Sequence, residues 1–153
     1  MSNPRLHQIL DALAAVPVTG IAHSYGIASV PERIDRAALP ILLVLPILDG
    51  SGLRRRDEFE IATPTGAIGL ASFYITHMLL YAPVGMYRNA ASAFPGLVDL
   101  MDAYTLAIRA NARLGGLLYA PIDFYTIPGA VTWAGVPYLG VRFVLRLVLE
   151  ITT

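Results

Sequence analysis

The clearest pattern in the chain is at its C-terminal end. In VRFVLRLVLEI, Val141, Phe143, Leu145, Leu147, Leu149 and Ile151 alternate with Arg142, Val144, Arg146, Val148 and Glu150. A period of two predicts a strand with one apolar face. Wound as a helix, the same residues would set Arg142, Arg146 and Glu150 on one stripe at four-residue spacing, which is costly in lipid.

Two segments carry the helical period instead. In SNPRLHQILDALAAV, Leu6, Ile9, Leu10 and Leu13 make one apolar stripe, Asn3 is placed to cap, Pro4 fits the first turn, and Pro17 ends the pattern. A second helix follows NAASAFPG, with Leu97, Met101, Tyr104 and Ile108 as its stripe. Asp99 and Asp102 near its start and Arg109 near its end suit the helix dipole, and the glycines of LGG at 114–116 end it.

Ile41–Leu45, a short apolar run between Pro40 and Pro46, predicts a strand covered on both faces. DGSGLRRRDE reads as a charged loop, and EFEIA resumes as a strand. Asp123, alone in APIDFYTIP, is expected to order a turn, and Gly135, Pro137 and Gly140 to shape a hairpin before the last strand.

The stretch from Ile61 to Tyr87 contains no Asp, Glu, Lys or Arg over 27 residues. Such a run normally raises the question of a membrane span. Pro64 and Pro83 bracket it, and its middle alternates: Ala71, Phe73, Ile75, His77, Leu79 and Tyr81 share one face, Ser72, Tyr74 and Thr76 the other. It therefore predicts a long strand, although Leu70, Met78 and Leu80 make the second face partly apolar. The expectation is a single domain, 1–153, of the α+β class: a mostly antiparallel β-sheet with two amphipathic helices packed on one side.

Composition sharpens this picture. The 153 residues are 56% hydrophobic and 14% charged, with zero formal net charge. An ordinary soluble domain is roughly 25% charged. Either a membrane or partner subunits would account for so little charge. Neutrality removes any bulk attraction to nucleic acid. All basic residues are Arg, which suits interfaces because its planar fork binds carboxylates and backbone groups in fixed geometry. No cysteine is present, so disulfides and thiolate chemistry are excluded. The N-terminal apolar positions are interrupted by His7, Gln8 and Asp11, unlike a signal peptide.

Catalytic chemistry is not visible. Nucleotide-binding glycine loops, zinc-protease motifs and nucleophile elbows are missing. His7, His23 and His77 are too scattered to mark a metal site, and no cofactor is expected. Arg54, Arg55 and Arg56 are the one concentrated basic feature. They fit either a solvated loop balanced by Asp57, Glu58 and Glu60, or a loop touching a partner ring or DNA phosphates. Phe73, Tyr74 and His77 in the long strand, with Trp133 and Tyr138, are candidates for a subunit interface.

The order of these features resembles the tail-terminator family of lambda-like long-tailed bacteriophages. The matching parts are the first amphipathic helix, ALPILLVLP, the charged loop, the long strand, the FPGLVDLMDAY helix, LGG, and YLGVRFVLRLVLEI. They cover nearly the whole chain in order. The resemblance implies a non-enzymatic virion protein of the tail or neck, assembled in the host cytoplasm as a homo-oligomer, a hexameric ring. Such a ring caps the tail tube protein, stops tube growth, faces the neck or head–tail connector, and later passes the genomic DNA. Other neck proteins and tail-completion subunits share this length and element order. A small integral membrane protein is the reading that composition alone leaves beside it.

Overall fold

The structure is a computed structural model that describes residues 6–46, 54–63, 66–86 and 90–152. Its elements in chain order are α1 (Leu6–Ala14), β1 (His23–Tyr25), β2 (Ile41–Leu45), β3 (Arg54–Thr63), β4 (Gly66–Pro83), α2 (Phe94–Ala110), β5 (Asp123–Trp133) and β6 (Val136–Thr152). Short 3-10 turns lie at Arg36–Ala38, Val84–Met86, Ala90–Ala93 and Leu114–Gly116.

The two long alternating segments of the sequence form the spine. β4 and β6 pair antiparallel from Ile68↔Thr152 to Pro83↔Tyr138, with a bulge between Leu80 and Ala82. The sheet runs β1-β2-β4-β6-β5, and β3 also pairs with β4. Only β1 and β2 are parallel; the other neighbours are antiparallel. The architecture is α+β, as the periodicities predict. Among the described residues no helix is long and apolar enough to cross a membrane, and the long charge-free run is mostly the strand β4.

β2 and β3 share one edge of β4. β2 ends with Leu45 opposite Thr76, and β3 begins with Arg54 opposite Tyr74. The chain thus leaves that edge and rejoins it with only Ile75 of β4 between. This corrects the loop expectation for Arg54–Glu58, which lie in a strand; Asp49–Leu53 lie outside the described residues. The physical reason is that edge strands tolerate charge, and a run of three Arg hides a period of two.

Both faces of the sheet are covered over its middle. On one face Leu42, Val44, Phe73, Ile75, Leu79, Val141, Phe143, Leu145 and Leu147 meet the two helices. α1 contributes the predicted stripe: Ile9, Leu10 and Leu13 are fully or almost fully buried and Leu6 is half-buried. Burial of that kind contributes roughly 1.5–3 kcal/mol per side chain. On the other face Ile41, Leu43, Leu45, Met78, Leu80, Val131 and Tyr138 form a second, smaller core. Residues from Tyr25 to Leu39 lie over it, and the Trp133 Nε1–H donates to the Pro31 carbonyl at 3.1 Å. β2 is buried along its whole length because its alternate residues serve the two cores.

α2 buries Leu97, Leu100, Tyr104 and Ile108. Leu100 thus replaces the Met101 of the predicted stripe, and Met101 is half-buried beside it. Asp123 opens β5 rather than ordering a turn. The hairpin expectation for the last segment holds. β5 and β6 meet at Trp133↔Val136, and Ala134 (φ 51°) and Gly135 (φ 79°) make the two-residue turn. Both positions have positive φ, the twist that suits a two-residue hairpin.

Candidate functional site

The described surface is unusually apolar around one edge of the sheet. β5 is an outer strand, hydrogen-bonded to β6 alone among the described residues. Most of its positions are exposed, against the near-continuous burial of β6. Pro128 lies at its middle and supplies no N–H, so the outer edge has a gap in its row of donors. A partner meeting β5 would rely on side chains more than on an added strand.

On the helix side, β5 and α2 form an apolar concavity of about 380 Å³ lined by Phe94, Leu97, Val98, Met101, Pro128 and Leu139. Phe94 is 52% exposed and Val98 50%, and Leu106 on the outer side of the helix is 69% exposed. On the opposite side of β5, Tyr125 and Ile127 are exposed large apolar side chains. Singly exposed apolar residues are ordinary, but side chains of this size on both sides of one edge make it the candidate contact surface.

The candidate interface residues are dispersed by the fold. Phe73, His77 and Tyr138 are buried inside the subunit, the first two under the helices and Tyr138 in the second core. Tyr74 points away from the helices and is 40% exposed. Trp133 is half-buried and tied to Pro31. Arg54, Arg55 and Arg56 fall opposite Tyr74, Phe73 and Ser72 along β3. Asp123, Arg146, Tyr74 and Arg54 thereby fall on one transverse row through β5, β6, β4 and β3. Arg146 also donates from Nη2 to the Ser72 hydroxyl at 3.4 Å.

The helix-side core holds one polar pair. His77 Nδ1 lies 2.8 Å from the Tyr104 hydroxyl, joining β4 to α2. His77 Nε2 is buried and meets no hydrogen-bond partner among the described residues. The Tyr104 ring stacks on Phe143 at 3.6 Å between centroids, and Phe124 meets both rings edge-on. Burial drives the His77 pKa from 6.5 down to about 3 and pushes that of Tyr104 well above 10. His77 is therefore neutral at physiological pH. Both side chains are buried, and the bond between them ties β4 to α2.

A second concavity of about 350 Å³ lies between the C-terminal half of α2 and the start of β5, with Arg109 and Asp123 among its lining residues. Among the described residues no group of three or more His, Asp or Glu is placed to hold a metal ion. Sequence reasoning missed the α2–β5 concavity. Its sequence signal is the surplus of apolar residues on α2 beyond one stripe, Phe94 and Val98.

A scan against protein-family models finds no matching family, and a search of curated proteins finds no match.

Proposed function

We propose that the chain is a structural assembly subunit of a bacteriophage tail or neck, forming the ring that terminates the tail tube and joins it to the head. The observation that carries this reading is the apolar surface on both sides of β5, in a chain with only 14% charged residues. A subunit flanked by two ring neighbours, a tube and a neck covers far more surface than a free monomer does. The order of elements that resembles the tail-terminator family supports the same role. Arg54–Arg56, on the outer strand β3, are the candidates for contact with a partner ring or with DNA in transit.

Light scattering on size-fractionated protein, without detergent, tests the assembly reading. The expected species is a hexamer of about 99 kDa, six times the 16.5 kDa chain. A chain that stays monomeric at high concentration in the presence of tail tubes, or that needs detergent, overturns it. Virions made without this protein separate the terminator from other neck roles. Loss of a terminator gives tubes of uncontrolled length, whereas loss of a joining subunit leaves normal tubes detached from heads.

A further inference from the structure

α2 carries two apolar strips rather than one. Leu97, Leu100, Tyr104 and Ile108 face the sheet. Phe94, Val98 and Met101 recur at i, i+4 and i+7 and line the concavity. At about 100° per residue, that second strip is centred roughly 90° round the helix from Tyr104. Ile108 lies near the boundary between the strips, and Leu97, buried against the sheet, also lines the concavity. A rotation of about a quarter turn would bury Phe94, Val98 and Met101 in place of Leu100 and Tyr104. The hydrophobic effect is non-directional, so it discriminates poorly between these two seatings.

The hydrogen bond between Tyr104 and His77 is directional. It is buried, and it links α2 to the sheet through side chains. Rotation of α2 would take the hydroxyl away and leave both nitrogens of a fully buried imidazole without partners, adding to the orphaned Nε2. Val44 and Phe143, the cross-strand neighbours of His77, offer no side-chain replacement.

We infer that the His77–Tyr104 hydrogen bond sets the rotation of α2 on the sheet, and so decides which apolar strip is buried and which is presented outward. The bond is a device for specificity more than for stability: a buried polar pair is often matched in stability by apolar residues of the same shape. A steric seat competes as the explanation, because Gly96 packs tightly against the Tyr81 ring near the start of the helix. The inference concerns the subunit itself and stands whether or not the chain forms a ring.

The chain has no cysteine, so single reporters are clean. Leu100→Cys places a thiol on the buried strip and Val98→Cys one on the exposed strip. Each is combined with His77→Leu/Tyr104→Phe, and its rate with a thiol reagent is compared with the parent background. The expected result is a cooperative melt with the Leu100→Cys thiol about tenfold faster and the Val98→Cys thiol several-fold slower. The slowing is decisive, because a mere loss of stability never protects an exposed thiol. Parent rates for both thiols in the folded double variant overturn the inference in favour of the Gly96 seat. If the double variant gives no cooperative melt, the same reporters in Tyr104→Phe, which keeps the ring on Phe143, decide by the same rates.

Discussion

His77 of β4 and Tyr104 of α2 are held 2.8 Å apart within a core that is otherwise almost wholly apolar. Desolvation holds the folded His77 pKa near 3, while the unfolded chain takes up its proton near 6.5. The unfolded state therefore binds more protons between these values. The stability that depends on neutral His77 is whole above about pH 6.5 and is lost as pH falls toward 3. The loss by about pH 3 is on the order of 4 kcal/mol. Urea melts between about pH 7 and pH 4 are expected to show this slope, and His77→Leu to flatten it. Equal slopes for the two proteins would show that His77 is not the group responsible.

Gly140 is a packing prediction. A Cβ there would press on the Leu79 carbonyl oxygen and lie 3.0 Å from Val131 Cγ2. Gly140 pairs with Leu80 of β4 and Gly129 of β5, beside the bulge at Leu80/Ala82, so the backbone has little room to yield. Gly140→Ala is expected to cost about 3 kcal/mol and lower Tm by ~10 °C. A thermal melt within about 2 °C of the parent would mean that the strands part there at little cost.

Trp133 anchors the cover of the second core. Its Nε1–H reaches the Pro31 carbonyl, and its ring packs against the cluster of Met78, Leu80 and Tyr138. Trp133→Phe keeps most of the apolar contact and removes the donor, at an expected cost of about 1 kcal/mol. The effect should be local. Limited proteolysis should cut between Tyr25 and Leu39 sooner in the variant, with Tm little changed. An unchanged cleavage rate would mean that apolar packing alone holds the segment down.

The exposed strip gives a prediction about assembly. Val98→Gln and Tyr125→Gln alter one exposed side chain on each side of β5. Surface changes of this kind usually move stability by less than about 0.5 kcal/mol. Each is expected to leave the thermal melt in place and weaken self-association about tenfold, measured by sedimentation. Self-association at the parent strength in both variants would place the subunit contacts away from β5.

The sequence patterns reveal the spine and hide the edges, for physical reasons. β6 is legible because one of its faces is wholly apolar and its charges all fall on the other. α1 is legible because it has one stripe and therefore one seating. α2 is legible as a helix but not in its rotation, because apolar side chains lie on two strips and the polar bond that chooses between them joins residues 27 apart. The first half of β3 reads as a loop because consecutive charges mask alternation, while EFEIA in its second half reads as a strand. β5 carries Pro128 and Gly129 in its middle, two residues that normally argue against a strand, and an outer strand accommodates them. β1, at three residues, is too short to leave a pattern. The α2–β5 concavity depends on which strip of α2 is buried, so it was legible only once the rotation was known.

The shared edge of β4 has one more consequence. β2 and β3 each hold their own register against that strand, from Ile41↔Leu80 to Leu45↔Thr76 and then from Arg54↔Tyr74 onward. Neither ladder depends on how many residues the chain spends between Leu45 and Arg54. An insertion at that point shifts neither register, so the pairing on β4 sets no upper bound on the length of the connection. A peptide tag inserted there is expected to leave the register of β2 and of β3 on β4 unchanged.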